Sequence, residues 1–326
     1  MKIYRTSRIS LGNLHSQKIC VLGYGSQGRA QALNLKDSGC DVVVGLRPQS
    51  SSFKKAKKDK ILARPIGDAL QGATLICFLL PDEFQKEVYD RYVQPILNPG
   101  MTLMFAHGFN LTYQRIVPPS FSDVFLIAPK GPGPKLREAY LKGDALPSLM
   151  AIHQDFSGHT KKLALRYAKA SGCGKRGVFQ TTVREETISD LFGEQTVLCG
   201  GVVELMKMAF ETLTESGVSP EAAYFECFHE VKLIVDLLHE RGISGMAKAI
   251  SHTAHYGGMT RGPRLVPFET KKVFKKILKE IKSGSFAKEW ILENQKGLKK
   301  YKRLTQQNMD HSVEKTGQKI RRLIGY

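Results

Sequence analysis

Short apolar runs alternate with helical patterns through the first half of the chain. Such runs are typical of strands that are buried on both faces of a parallel sheet. Five are prominent: 18–22 (KICVL), 40–46 (CDVVVGL), 73–81 (ATLICFLLP), 101–109 (MTLMFAHGF) and 124–133 (VFLIAPKGPG). The pattern predicts an α/β domain with a doubly wound, mostly parallel sheet.

The pattern changes to long helices from about residue 183. Strand-like runs give way to helical periodicity over 190–213 and 220–241, and then in segments through 267–326. Gly200 and Gly201 lie inside the first helical run and predict close packing or a local kink. We therefore expect an N-terminal α/β domain over residues 1–182 and an all-α domain over residues 183–326.

The first apolar run leads directly into a glycine-rich turn, Gly23-Tyr24-Gly25-Ser26-Gln27-Gly28, which precedes a helical stretch. A strand, GxGxxG and a helix in this order indicate a dinucleotide-binding Rossmann domain. The glycines allow a tight turn, and the pyrophosphate binds at the helix N-terminus. A purely structural glycine turn is the alternative.

The end of the second strand distinguishes between dinucleotides. An acidic residue here would bind the ribose 2′-hydroxyl of NAD. The chain instead has Arg47, Ser50 and Ser52, with Lys54 and Lys55 beyond them. A cation and two hydroxyl groups suit a 2′-phosphate, so we expect NADPH as the cofactor. The alternative is a basic surface loop.

Polar residues follow the later strands at equivalent places. They are Asp82, Glu83, Phe84 and Gln85 after the third run, His107 after the fourth, and Lys130 and Gly133 after the fifth. Ligands of open α/β sheets bind outside the carboxyl ends of the strands. We therefore expect these residues to line one crevice, although any one of them alone would be an ordinary loop residue.

Two pairs of acidic residues lie in the helical half of the chain. Asp190 and Glu194 form one pair, and Glu226 and Glu230 form the other. Residues four apart lie on one face of a helix, and lone carboxylates are costly to bury among apolar neighbours. The two pairs could hold one or two divalent cations, with Mg²⁺ the natural guest. Solvated helix faces with surface ion pairs are the alternative.

Composition narrows the class of protein. The chain carries 49 basic and 30 acidic residues, and residues 271–326 alone hold 16 Lys or Arg against five Asp or Glu. These basic residues alternate with apolar ones without the aromatic platforms of single-strand binders, so nucleic-acid binding is not favoured. The six scattered cysteines and the lack of a long apolar run favour a reduced, cytoplasmic enzyme with no membrane segment.

The motifs together resemble one family. GYGSQG, GLRPQSSS, LLPDE, AHGFN, APKGPG, DLFGEQ, CGG, ECFHE and KLIVDL occur in this order, and EWILENQ follows near the C-terminus. The whole chain is similar to ketol-acid reductoisomerases, also called acetohydroxy-acid isomeroreductases, in their short bacterial form.

The resemblance implies a fold, an assembly and a reaction. It implies a Rossmann domain, a knotted helical domain, and dimers or higher homo-oligomers whose active sites are shared between subunits. The reaction is a Mg²⁺-dependent alkyl shift of 2-acetolactate or 2-aceto-2-hydroxybutanoate, followed by reduction with NADPH to the 2,3-dihydroxy acid. It serves valine and isoleucine biosynthesis.

The resemblance also implies residue roles. His107, Lys130 and Glu230 match catalytic positions, and Ser251 matches a position that binds the substrate carboxylate. Two Mg²⁺ ions would lie among Asp190, Glu194, Glu226 and Glu230, the second pair coming from a partner chain. The cofactor contacts map to Tyr24, Gly25, Ser26, Gln27, Arg47, Ser50, Ser52, Asp82, Glu83, Phe84, Gln85 and Gly133.

Several positions depart from the family pattern. They are Pro134 to Arg137 after the last glycine of GPG, Arg29 and Gln31 in the glycine-rich helix, and His252 and His255 after Ser251. None of them removes a predicted metal ligand, so we expect an active enzyme. Two rival hypotheses are a metal-independent hydroxyacid dehydrogenase and an inactive paralogue that binds nucleic acid through its basic tail.

Overall fold

The computed structural model describes residues 1–325. They form two compact units that divide after Ser189. The division falls inside a continuous helix, Val183–Gly193. The predicted domain boundary, between residues 182 and 183, coincides with the start of this helix.

The first unit is built around a nine-stranded sheet. Its strands are β1 (Ile3–Tyr4), β2 (Lys18–Leu22), β3 (Asp41–Leu46), β4 (Ala63–Pro65), β5 (Leu75–Phe78), β6 (Thr102–Phe105), β7 (Asp123–Pro129), β8 (Ser148–Gln154) and β9 (Val178–Gln180). They are ordered β1-β9-β8-β7-β6-β5-β2-β3-β4. The strands from β2 to β7 are mutually parallel, whereas β8 is antiparallel to β7 and β1 is antiparallel to β9. The prediction of a mostly parallel sheet is confirmed.

Eight helices belong wholly or mainly to this unit. They are α1 (Ser26–Asp37), α2 (Ser52–Lys58), α3 (Ile66–Ala69), α4 (Asp82–Val88), α5 (Phe109–Thr112), α6 (Gly133–Leu141), α7 (Thr160–Ala170) and α8 (Val183–Gly193). A π-helical turn, Tyr89–Val93, and two 3₁₀ turns, Gly12–Leu14 and Gln94–Ile96, complete its regular structure.

Alternate residues of the central strands pack into two separate apolar cores. On β2, Ile19 and Val21 join one core with α1 and α7, while Cys20 and Leu22 join the other with α3 and α4. All four side chains are fully buried. Burial of such an aliphatic side chain stabilises the fold by about 1.5–3 kcal/mol. Since both faces are covered, these strands appear in the sequence as continuous apolar runs.

The parallel strands bring their carboxyl ends to one edge of the sheet. The order of the strands reverses at β2, which lies between β5 and β3, and a crevice for a ligand forms at such a reversal. Gly23 follows β2 with φ at +96°, and a Cβ there would lie 2.9 Å from backbone atoms of Leu79 and Leu80. Only glycine fits this turn.

The regular structure of residues 190–325 is helical. After the end of α8 the unit contains α9 (Gly201–Glu215), α10 (Pro220–Tyr224), α11 (Glu230–Ala249), α12 (His252–Leu265), α13 (Thr270–Ser283), α14 (Ser285–Gln295), α15 (Lys299–Asp310) and α16 (Ser312–Leu323). The π-helical turn Glu194–Leu198 follows α8 and leads towards α9. The π-helical turn Phe225–His229 joins α10 to α11.

The glycine pair was predicted to mark close packing or a local kink, and the helical run is interrupted there. The chain turns at Cys199 and Gly200 before α9 begins. A Cβ on Gly200 would lie 2.0 Å from the carbonyl oxygen of Gln195, and one on Gly201 would lie 2.2 Å from that of Thr196. The prediction of one helix over 190–213 is therefore wrong in detail, because α8 passes into a π-helical turn and the chain turns at Cys199 and Gly200 before α9.

The second unit exposes many large apolar side chains. Ile243 and Phe268 are each 78% exposed, and Leu198, Leu265 and Tyr256 are about as open to solvent. Its own core is small, since one cluster contains only Phe210, Ala223, Tyr224, Val313 and Ile320. Among residues 1–325, no helix is both long enough and apolar enough to cross a membrane.

Candidate active site

A buried carboxylate organises the polar residues at the ends of β6 and β7. Glu186 lies on α8, and only 1% of its side chain is exposed. Its Oε2 lies 3.4 Å from Nδ1 of His107 and accepts a hydrogen bond from the backbone N–H of Gly108 at 3.2 Å. Its Oε1 accepts a hydrogen bond from Nζ of Lys130 at 3.4 Å. Glu186 thus connects two residues that the sequence placed at successive strand ends.

Close packing of α8 against the loop after β6 holds this carboxylate in place. A Cβ on Gly108 would lie 2.3 Å from Oγ1 of Thr187 and 2.7 Å from the side chain of Val183. The hydroxyl groups of Thr112 and Thr187 are hydrogen-bonded at 2.8 Å. The tight contact explains why glycine follows His107.

Asp190 lies one helical turn beyond Glu186. One ligand atom from each of His107, Glu186 and Asp190 can be chosen so that all three lie within 4.8 Å of one another, and this is the one such group among the described residues. The group offers two carboxylates, and hard cations such as Mg²⁺ take carboxylate oxygens. The donor chemistry therefore fits a divalent cation, with Asp190 as its least buried carboxylate.

The other predicted metal ligands lie at π-helical turns. Glu194 begins the turn after α8, Glu226 lies within the turn after α10, and Glu230 begins α11. All three are exposed. Single π-helical turns are frequent at functional sites, since they change the direction of the side chains around them. Within the described part of one chain, Glu226 and Glu230 join no group of three possible metal ligands.

Ser251 caps the N-terminus of α12. Its Oγ accepts a hydrogen bond from the backbone N–H of Ala254 at 3.1 Å. The residue is exposed, and the hydroxyl proton can still be donated to an acceptor such as a carboxylate. His252 and His255 follow it on α12, where His252 is exposed and His255 is half-buried.

The glycine-rich turn is bound to the loop after β7. The backbone N–H of Gly133 donates to Oγ of Ser26 at 3.1 Å, and Nε2 of Gln27 donates to the carbonyl of Gly131 at 2.9 Å. A Cβ on Gly133 would lie 2.0 Å from the carbonyl oxygen of Ser26. The structure thus brings together residues from two predicted cofactor segments that are more than 100 positions apart. Tyr24 is buried beside them, and Gly25 is exposed.

Arg47 and Phe84 form a second contact between predicted cofactor residues. The guanidinium carbon of Arg47 lies 4.4 Å from the centroid of the Phe84 ring. In the loop after Arg47, the backbone N–H of Ser52 donates to Oγ of Ser50 at 3.3 Å. A guanidinium stacked on an aromatic ring forms a flat surface on which an adenine ring can pack. The guanidinium and the two serine hydroxyl groups can donate hydrogen bonds to a phosphate.

A polar network supports the start of α4. Nε2 of Gln85 donates to Oδ1 of Asp82 and to the carbonyl of Leu80, both at 3.0 Å. The fully buried amide of Asn110 donates to the carbonyl of Asp82 and to Oε1 of Gln85. Glu83 lies half-buried beside them. Buried Gln85 therefore has a structural role in this loop in addition to its predicted place near the cofactor.

Three of the departures from the family pattern have local explanations. Pro134 lies in the first turn of α6, where the missing N–H has no helical partner to lose. The buried Oε1 of Gln31 accepts a hydrogen bond from Tyr167 at 2.7 Å. Arg29 forms an ion pair with Asp59 at 2.6 Å.

Sequence reasoning missed Glu186 and Asp59. Glu186 precedes Asp190 by four residues, so the helical spacing that selected Asp190 and Glu194 also included it. Asp59 carried no such signal, because its partners Arg29 and Tyr24 are 30 or more positions away.

Comparisons with known proteins agree with this architecture. The model of the acetohydroxy acid isomeroreductase NADPH-binding domain matches residues 13–177, and that of the ketol-acid reductoisomerase C-terminal domain matches residues 183–325. The chain is 43% identical to a ketol-acid reductoisomerase from an uncultured archean, described as NADH-preferring, with all of both chains covered and a TM-score of 0.96.

More distant structures share the fold alone. A semialdehyde dehydrogenase NAD-binding protein from Cupriavidus necator is 20% identical, with 82% of this chain and 99% of that chain covered and a TM-score of 0.63. A pyrroline carboxylate reductase from Plasmodium falciparum is 12% identical, with coverage of 83% and 98% and a TM-score of 0.54.

The family models together cover nearly the whole chain. Its first domain is therefore a nicotinamide-dinucleotide-binding domain, and the protein is an oxidoreductase. The chain belongs to the ketol-acid reductoisomerase family.

Proposed function

We propose that the protein converts 2-acetolactate or 2-aceto-2-hydroxybutanoate to the 2,3-dihydroxy acid, with Mg²⁺ and NADPH, in valine and isoleucine biosynthesis. The observation that carries the proposal is the connection of His107 and Lys130 through Glu186, beside Asp190. This connection places the ammonium of Lys130, the imidazole of His107 and the carboxylate of Glu186 at the edge of the sheet where a dinucleotide binds. A plain hydride transfer does not require the carboxylates.

Asp190 and Glu194 would hold two Mg²⁺ ions together with Glu226 and Glu230 of a second chain. The chemistry that the metal supplies is Lewis-acid polarisation of the substrate's hydroxyl and ketone oxygens. The carboxylates would hold the ions and balance part of their positive charge, and Mg²⁺ held in this way keeps positions for water and substrate. Glu230 is also our candidate for taking up a proton from the substrate.

The residues of the first unit orient the substrate and its protons. Glu186 is buried and accepts hydrogen bonds, so it fixes the direction of the Lys130 ammonium and holds Nδ1 of His107 nearby. A cation at Lys130 stabilises negative charge on a substrate oxygen. The proton that the new alkoxide needs after reduction comes from a group at this edge, for which His107 is our candidate. Ser251 would donate to the substrate carboxylate.

The cofactor that we propose is NADPH, which supplies the hydride. Arg47, Ser50 and Ser52 offer a cation and two hydroxyl groups, and residues 47–58 contain no acidic side chain to bind a free 2′-hydroxyl. The relative that is 43% identical is described as NADH-preferring, so the ratio of kcat/KM for the two dinucleotides tests this choice directly. A ratio in favour of NADH would contradict it.

We also propose a homo-oligomer whose active sites are shared between chains. The exposed apolar side chains of the second unit support this proposal, because large apolar patches mark protein–protein contacts. The knotted path of the helical domain and a cytoplasmic location stay predictions.

Turnover of 2-acetolactate tests the proposed function. NADPH oxidation is followed with Mg²⁺ or with EDTA, in the wild type, in Glu230→Gln and in Glu240→Gln. Glu240 is the matched control, since it is an exposed glutamate on the same helix. We expect turnover that needs Mg²⁺, fails in Glu230→Gln and persists in Glu240→Gln. Undiminished turnover in EDTA would favour a metal-independent dehydrogenase instead.

A further inference from the structure

An ion pair joins the glycine-rich helix to the helix that follows the Arg47 loop. Arg29, in the first turn of α1, places Nε 2.6 Å and Nη2 2.7 Å from the two carboxylate oxygens of Asp59. The hydroxyl group of Tyr24 donates a third hydrogen bond to the same carboxylate at 2.9 Å. A guanidinium that binds a carboxylate through two parallel hydrogen bonds fixes both position and orientation.

The side chain of Asp59 is ionised, and the guanidinium of Arg29 neutralises its negative charge. The hydrogen bond from Arg29 lowers the pKa of the Asp59 carboxyl group, so this group is ionised at neutral pH. Burial and the Asp59 carboxylate raise the pKa of Tyr24, so the Tyr24 hydroxyl stays protonated and donates. Only 12% of the Asp59 side chain is exposed. Asp59 is the only acidic residue between Arg47 and Lys60.

Asp59 lies at the C-terminal end of α2, and the loop that contains Arg47 and Ser50 leads into the start of this helix. This helix starts at Ser52 and ends at Lys58, and the backbone N–H of Asp59 donates to the carbonyl of Lys55 at 3.0 Å. Seven residues of helix separate Ser52 from Asp59, a distance of about 10 Å at 1.5 Å per residue. An uncancelled carboxylate there would lie within roughly one Debye length of a 2′-phosphate at Ser52.

We propose that Arg29 and Asp59 are a positioning pair that sets the preference for a dinucleotide carrying a 2′-phosphate. This inference rests on the proposed use of NADPH, and it adds two residues that are not predicted cofactor contacts. The pair fixes the far end of α2 relative to the glycine-rich turn, and thereby the loop that presents Ser50 and Ser52. It also removes the one negative charge that would repel the phosphate.

Equilibrium binding of NADPH and NADH, read from cofactor fluorescence, tests the inference in the full-length protein. In Arg29→Gln we expect the Kd for NADPH to rise about three- to tenfold, because a charge at about 10 Å is uncovered. The Kd for NADH should stay within about twofold of the wild type, since it carries no 2′-phosphate. Arg29→Lys keeps the positive charge and should recover most of the preference.

Arg176→Gln is the matched control. Arg176 donates to both oxygens of Asp144 at 2.9 and 2.5 Å, and none of the residues predicted to contact the cofactor takes part in this ion pair. We expect it to lower thermal stability about as much as Arg29→Gln without changing either Kd. The double variant Arg29→Gln/Asp59→Asn removes the uncovered charge, so it should bind NADPH more tightly than Arg29→Gln alone.

Two results would overturn the inference. Equal weakening of NADPH and NADH in Arg29→Gln would show a general structural role, and unchanged binding of both would show no role. Neither result depends on 2-acetolactate. Failure of the proposed reaction would appear instead as lost turnover in a protein that still binds the cofactor.

Discussion

Residues 1–189 enclose an apolar core on each face of a sheet, whereas residues 190–325 leave many large apolar side chains in contact with solvent. In the first unit every residue of β5 and β6 is buried. In the second, α11 exposes Leu233, Val235 and Ile243, and the residues after α12 expose Val266 and Phe268. The first unit thus completes its core within one chain, while the apolar surface of the second supports the proposal that a partner chain covers it.

The same difference separates the two halves of the candidate site. Within the first unit, the carboxylate of Glu186 lies 3.4 Å from Nδ1 of His107 and 3.4 Å from Nζ of Lys130. Glu226 and Glu230 are exposed and stand in no comparable group among the described residues. A site whose second half is provided by another chain accounts for both observations.

The largest expected effect comes from the half of the site that is complete in one chain. Glu186→Gln removes the charge that orients Lys130 and His107, so we expect kcat to fall about 10²-fold or more. Steady-state kinetics measure the effect. Glu185→Gln changes the exposed neighbour on the same helix and should leave kcat nearly unchanged. Equal effects of the two substitutions would contradict the role of Glu186.

The next effect tests whether the apolar surface of the second unit is covered in solution. Ile243→Asp places a charge on a side chain that is 78% exposed in one chain. We expect it to weaken the oligomer, which light scattering after size exclusion measures, and to lower activity about tenfold or more at low protein concentration.

The control for this substitution lies in the first unit. Val117 is 69% exposed, and Val117→Asp should leave both mass and activity unchanged. A monomeric wild-type protein with full activity would contradict the account of the second unit.

A smaller effect tests the contact between the glycine-rich turn and the loop after β7. In Gly133→Ala, the new Cβ would lie 2.0 Å from the carbonyl oxygen of Ser26, so the two loops must separate. We expect the KM for the dinucleotide to rise about tenfold and the free energy of unfolding to fall by about 1–3 kcal/mol. Gly67→Ala, whose Cβ would lie 3.9 Å from Tyr92, should change neither quantity.

The smallest effect is a dependence of stability on pH. The lowered pKa of Asp59 means that the folded state holds this proton more weakly than the unfolded state. The stabilisation is fully present above the unfolded pKa of about 3.9 and is lost as the pH falls through the lower folded value. Because Arg29 is half exposed, Asp59→Asn should cost about 1 kcal/mol at neutral pH.

Denaturant titrations of the wild type and Asp59→Asn at pH values from neutral to acid measure this dependence. The difference in unfolding free energy between them should shrink below about pH 4. A difference that stays constant with pH would contradict the assigned cause.

The central strands of the sheet were predictable because both of their faces are covered. Continuous apolar runs such as 18–22 and 101–109 therefore marked the strands, and the residues after them marked one edge of the sheet. The interruption at Gly200 and Gly201 was predictable for a different reason: glycine is unfavourable inside a helix, so a glycine pair there usually marks close packing or a kink. The π-helical turns had no such signal, because they differ from an α-helix by one extra residue per turn.

The site was only partly predictable. His107 and Lys130 lay at strand ends, where a parallel sheet gathers its functional residues. Their shared partner Glu186 lay on a helix, 56 residues after Lys130 and 79 after His107. The helical spacing included Glu186 but did not show that its carboxylate is buried, because that burial comes from tertiary packing. The Arg29–Asp59 pair was hidden in the same way, since the residues meet only after α1 and α2 have packed on the sheet.

A subunit-complementation experiment tests most directly whether the site is shared. Asp190→Asn and Glu230→Gln chains carrying different tags are co-expressed, and the heterodimer is purified and assayed with 2-acetolactate, NADPH and Mg²⁺. In a shared site, one of the two sites of the heterodimer combines both lesions and the other contains neither. We expect two nearly inactive homodimers and a heterodimer with about half of the wild-type activity. A heterodimer as inactive as its parents would place all four carboxylates in one chain and rule out the shared site.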